Sequence, residues 1–94
     1  MVAAAIAEQA ATLEQVIFAE FTHPQAERLA SRLARSTGLD RVFFSDNGST
    51  AVEVALQTAV QWWHNRGEPR HQLVAFEGAY HGDTFGAMAV GARS

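Results

Sequence analysis

Cysteine and lysine are both absent from these 94 residues. Without cysteine there is no disulfide, no thiolate metal ligand and no cysteine nucleophile, which suits a reducing compartment. Without lysine, all seven basic side chains other than histidine are arginines, scattered from Arg28 to Arg93 with no basic run. Together with a net charge of −3, that scatter argues against nucleic acid or an anionic membrane as partner. No run reaches the roughly 18 consecutive apolar residues that a membrane-spanning helix needs. The alanine-rich opening, residues 1–11, carries Glu8 and has no basic n-region, so it does not read as a secretory signal. The expectation is a soluble, cytoplasmic chain.

What is present suffices for a packed core. Hydrophobic residues make up 48% and charged ones only 18%, which excludes a disordered composition. At this length one small domain at most is expected, with no internal boundary. Residues 2–18 read as a helix, with Ile6, Ala10, Leu13 and Ile17 at near-helical spacing. Thr22-His23-Pro24-Gln25 starts a second helix: Thr22 and Gln25 have capping-box spacing and Pro24 falls in the first turn. Ala26, Leu29, Ala30 and Leu33 form its apolar stripe, and Gly38 ends it. His23 reads as a turn residue, since no second metal ligand sits at a matching spacing.

The rest of the chain is organised around residues 41–53. Residues 42–45 read as a short buried strand, Asp46-Asn47-Gly48 as a polar turn, and a third helix follows from about Ser49 to His64. Val52, Ala55, Leu56, Ala59, Val60 and Trp63 give that helix a wide apolar face. Trp62 and Trp63 are adjacent and cannot share one face of the helix, so one of them is available for a second contact, such as a neighbouring element or subunit. A strand feeding a helix through a glycine turn gathers unpaired backbone N–H groups at the positive end of the helix dipole, which suits a phosphate. Ser49 and Thr50 add hydroxyl donors. Thr50 and Glu53 also fit a capping box, which satisfies such groups without any ligand, and both readings stand.

Residues 72–76 read as a second buried strand, making a right-handed βαβ unit with the helix between. A glycine-punctuated loop, residues 77–82, follows, and Asp83 or Thr84 caps a short helix through Phe85, Ala87, Met88 and Val90. In a parallel sheet both loops emerge on the edge where ligands bind. An anion site would then lie beside Tyr80, an arrangement that suits a phosphorylated aromatic ring.

Two stretches carry a family resemblance. Residues 45–55, Ser-Asp-Asn-Gly-Ser-Thr-Ala-Val-Glu-Val-Ala, together with Tyr80-His81-Gly82-Asp83-Thr84, resemble the class III, fold type I, pyridoxal-phosphate aminotransferases. Within that family, the Ser-Thr-Ala-Val-Glu-Val-Ala run, Gln61-Trp62-Trp63 and Tyr-His-Gly-Asp-Thr-Phe-Gly-Ala-Met are most similar to the members that serve biotin biosynthesis. Those members pass an amino group from S-adenosylmethionine to 8-amino-7-oxononanoate.

The resemblance implies an α/β fold: residues 1–94 as an incomplete large, cofactor-binding domain, helical over 1–40 and βαβ over 41–94. It implies pyridoxal 5′-phosphate as cofactor and a homodimer as the complete enzyme. Gly48 and Ser49 would bind the cofactor phosphate with Thr50 close by, and Tyr80 would stack on the ring and touch the substrate pocket. His81 and Gly82 would shape the loop. Asp83 would lie near the substrate amino group, or cap the following helix, or both. No metal site is implied.

Transamination by this cofactor needs a lysine for the Schiff base and an acid at the pyridinium nitrogen. In the family both come from strands further along. The expectation is an N-terminal portion of the large domain, with no transaminase activity by itself. The alternatives are another class III aminotransferase using an ω-amino acid or diamine donor, or a non-catalytic phosphate-binding or interaction remnant. A nucleotide module would lack its signatures, since neither G-x-x-x-x-G-K-[ST] nor G-x-G-x-x-G is present. Asn-Gly-Ser-Thr is likewise not the G-x-S-x-G of a serine hydrolase.

Overall fold

A computed structural model divides the chain into two compact units, Met1–Val42 and Phe43–Ser94, and describes residues 1–91. The first unit holds α1 (Val2–Thr12) and α2 (Pro24–Thr37). Helix α1 stops well short of Ile17. Leu13 turns extended while its N–H still bonds Gln9 O at 2.8 Å, and the Gln9 side-chain amide donates to Leu13 O at 2.9 Å. That exchange closes the last turn, and the alanines before it bury nothing that would extend the helix further.

Helix α2 is capped by His23 rather than by Thr22. The His23 Nδ1 accepts the Ala26 N–H at 3.4 Å, the place a Ser or Asp oxygen ordinarily takes, and its ring stacks on Phe18 at 5.6 Å. Pro24 lies in the first turn, as its fixed φ and missing N–H favour. Gly38 ends the helix in the left-handed region (φ 72°), with its N–H on Ala34 O. Of the stripe, only Ala26 is buried; Leu29 and Leu33 remain exposed.

The second unit holds α3 (Gly48–Asn65) and α4 (Phe85–Ala89), which pack against each other. Each tryptophan near the end of α3 has an arginine over its ring: Arg66 at 5.5 Å from Trp62 and Arg70 at 3.4 Å from Trp63. Trp62 is therefore not idle, though it stays exposed.

The βαβ unit expected over residues 41–94 is not formed. Among the described residues there is no strand, and 42–45 and 72–76 run as irregular chain. The physical reason is coverage. A buried parallel strand needs neighbours along both edges and packing on both faces, whereas Phe43, Val74 and Phe76 lie open to solvent. Among the described residues the only buried hydrophobic ones are Ala26 and Ala87. The accessible surface is 8342 Å², where a folded monomer of 10.2 kDa should expose about 5,300 Å². The excess, about 3,000 Å², is of the size that an obligate protein interface covers.

Candidate functional site

The start of α3 is built by Asn47. Its Oδ1 accepts the Thr50 N–H at 3.0 Å, while its own N–H donates to Thr50 Oγ1 at 3.1 Å. This is a reciprocal capping box, but between Asn47 and Thr50, not between Thr50 and Glu53. Thr50 stands at the third helical position, one turn too late to be the cap. Its hydroxyl is also taken up by Ser45 Oγ at 2.6 Å and by Asn47 O at 3.0 Å. The box leaves the N–H groups of Gly48 and Ser49 without a partner among the described residues. Both lie at the positive end of an 18-residue helix.

The second loop presses on that helix start. Gly82 is buried, with φ 129°, and a Cβ on it would lie 2.6 Å from Ser49 Cβ and 2.7 Å from Ser49 Cα. Only glycine fits there, by backbone angle and by contact. Two residues on, the Ser49 hydroxyl accepts the Thr84 N–H at 2.9 Å and donates to Thr84 Oγ1 at 2.8 Å. One turn along α3, Glu53 Oε1 accepts the N–H of Gly86 at 2.6 Å and of Ala87 at 3.3 Å. The Thr84 hydroxyl, then the Gly86 N–H, hold the Glu53 carboxyl below the ordinary carboxylate value; partial desolvation opposes them and the Ala87 N–H adds to the lowering.

Between the two loops lies an open cleft of about 710 Å³, lined by Asn47, Gly48, Ser49, Val52 and residues 80–84. That volume lies within the range of cofactor sites. The structure thus brings Gly48, Ser49, Tyr80, His81 and Asp83 together without a sheet to do so. Thr50 does not line the cleft. The exposed Tyr80 hydroxyl donates to Asp83 Oδ2 at 2.8 Å. Thr84 occupies the N-cap position of α4, and its side chain makes no cap bond. Among the described residues no cluster of His, Asp or Glu could hold a metal ion, and no helix is long and apolar enough to cross a membrane.

These residues fit a phosphorylated aromatic cofactor. Two unpaired helix N–H groups offer an anion seat, a flush glycine lets backbone and ligand approach, and an exposed aromatic ring borders the same space. The sequence reading did not find the clamp by Glu53, because nothing local links it to amides 33 and 34 positions on. The same carboxylate matched a capping box nearer by.

The family model of class III aminotransferases matches residues 1–94, and the chain belongs to that family. It is 67% identical, over 96% of its length, to the adenosylmethionine-8-amino-7-oxononanoate aminotransferase of Synechococcus elongatus, of which it covers 22%. The enzyme of that name in Geobacter sulfurreducens is 46% identical over 93% of this chain, which covers 20% of it. An acetylornithine aminotransferase of Agrobacterium fabrum is 39% identical over 74% of this chain, which covers 18% of it. The chain spans about a fifth of the length of the curated relatives it matches.

Proposed function

We propose that residues 43–91 form the phosphate and ring seat of a pyridoxal 5′-phosphate site in a cytoplasmic class III aminotransferase. The complete enzyme transfers an amino group from S-adenosylmethionine to 8-amino-7-oxononanoate. The observation that carries the seat is the meeting of the α3 N-terminus with the Tyr80–Asp83 loop in one cleft. The relatives named for this reaction, the first of them 67% identical, support the substrate pair. The acetylornithine relative favours a second donor class, but at lower identity and over less of the chain.

In this reading the cofactor supplies an electron sink for the amino carbon, and these residues only hold it. The Gly48 and Ser49 N–H groups bind phosphate oxygens. Tyr80 would lie against the ring, steadied by its bond to Asp83, which would stand near the substrate amino group. No lysine is among the 94 residues, so the proton-moving amine comes from beyond them. The expected βαβ unit forms when further strands and a second subunit cover the exposed faces of Phe43, Val74 and Phe76, the complete enzyme being a homodimer.

The test is made in the full-length enzyme. Ser49→Ala removes the hydroxyl that ties Thr84 to the seat, and cofactor dissociation is expected to rise about tenfold, the equivalent of one hydrogen bond. Unchanged affinity in a reconstitution titration counts against the seat. Tyr80→Ala is expected to shift the bound cofactor's absorption band and to lower turnover about a hundredfold. A normal spectrum and rate would sink the stacking role. Single-turnover amino transfer from S-adenosylmethionine, set beside N-acetylornithine, decides the donor.

A further inference from the structure

We propose that Glu53 is a positioning residue that locks the Tyr80–Asp83 loop onto the α3 N-terminus, acting through Thr84 and Ser49. The inference rests on the cofactor reading above and deepens it. Glu53 does not line the cleft. It stands one turn behind the seat, on the helix that supplies the seat, and reaches across to the element that follows the loop.

Three contacts define the lock. Glu53 Oε1 takes the N–H groups of Gly86 and Ala87, the first turn of α4, so the carboxylate serves as the side-chain cap that Thr84 does not provide. Just ahead of these amides, Thr84 Oγ1 accepts from Ser49 Oγ, which in turn accepts the Thr84 N–H. Gly86 permits the approach, because a Cβ there would meet Glu53 Cδ at 2.8 Å. Helix α4 has five residues and no side-chain cap of its own, so it depends on this carboxylate to hold its position. Since the loop enters α4 directly, the position of α4 sets where Tyr80 and Asp83 stand over Gly48 and Ser49.

The experiment compares wild type, Glu53→Ala and Thr84→Val in the full-length enzyme, with two readouts. One is the cofactor dissociation constant. The other is hydrogen exchange at the Gly86 and Ala87 amides in the cofactor-free protein, which does not depend on what the cleft binds. Glu53→Ala is expected to speed exchange at those two amides at least tenfold, with α2 unchanged, and to weaken cofactor binding about tenfold. Thr84→Val keeps the shape and the backbone bonds of α4 while removing the hydroxyl that accepts from Ser49 Oγ, and is expected to weaken binding about threefold. It remains informative if Glu53→Ala does not fold. Wild-type exchange and wild-type affinity in the variants overturn the lock. A wild-type enzyme that binds no pyridoxal 5′-phosphate overturns the cofactor reading instead, and the exchange rates still judge the lock.

Discussion

Gly82→Ala in the full-length enzyme is expected to lower cofactor affinity by at least thirtyfold and turnover with it. Two costs coincide at this position. A φ of 129° is rarely adopted by a residue with a side chain, and holding alanine there costs about 1–3 kcal/mol. The added methyl would also sit 2.6–2.7 Å from Ser49 Cβ and Cα, and overpacking of that kind costs a further ~1–3 kcal/mol. The backbone of α3 cannot yield, because the Asn47–Thr50 box fixes its first turn. The loop must lift instead, taking Tyr80 and Asp83 off the seat. A cofactor titration and a kcat measurement check this. Gly67→Ala is the contrast: its φ is 73° but nothing lies within 4 Å of the new Cβ. It should cost about 1 kcal/mol of stability and leave cofactor affinity unchanged. Equal losses in both variants would mean that backbone strain alone, not the contact with Ser49, is felt at the site.

The features legible in the sequence are those set by a few adjacent residues. Gly38 ends α2 because its own backbone angle permits it. The reading of α3 from about Ser49 to His64 falls only one residue short of its observed ends, Gly48–Asn65, because turn, apolar period and closing polar run all agree. The meeting of the two loops was also foreseen, but through a sheet that the described residues do not form. What the chain achieves directly is a contact of Gly82 and Thr84 with Ser49, between residues more than thirty positions apart. Such contacts leave no periodic trace. The caps were misplaced for a related reason. Thr22, Thr50 and Glu53 all match capping spacings, yet His23, Asn47 and, across space, the amides of α4 are where the bonds form. A spacing rule names which donors are reachable, and competition among neighbouring acceptors decides which are used.

The 94 residues expressed alone are expected to show no transamination and no cooperative unfolding transition. The chemical half follows from composition. The family's reaction needs a lysine amine, and arginine cannot substitute because its guanidinium does not give up its proton near neutral pH. The physical half follows from coverage. Ile6, Phe43, Val74 and Phe76 gain little from folding while they face water, and the two buried alanines among the described residues supply at most about 2 kcal/mol. Ordering a single backbone residue already costs about 1–2 kcal/mol. Helices α2 and α3, with sound caps, should still populate in part, so far-ultraviolet circular dichroism is expected to show helix that fades gradually on heating. A sigmoidal melt at a concentration where the chain is monomeric would mean that the apolar faces find cover within these residues. Adding a chain that carries the remaining strands of the large domain should convert the gradual loss into a cooperative one. Covering about 3,000 Å² of surface at ~25 cal/mol per Å² of its apolar part is enough to tip a marginal fold. On the proposed reading, cofactor retention should appear in the same titration as the cooperative melt.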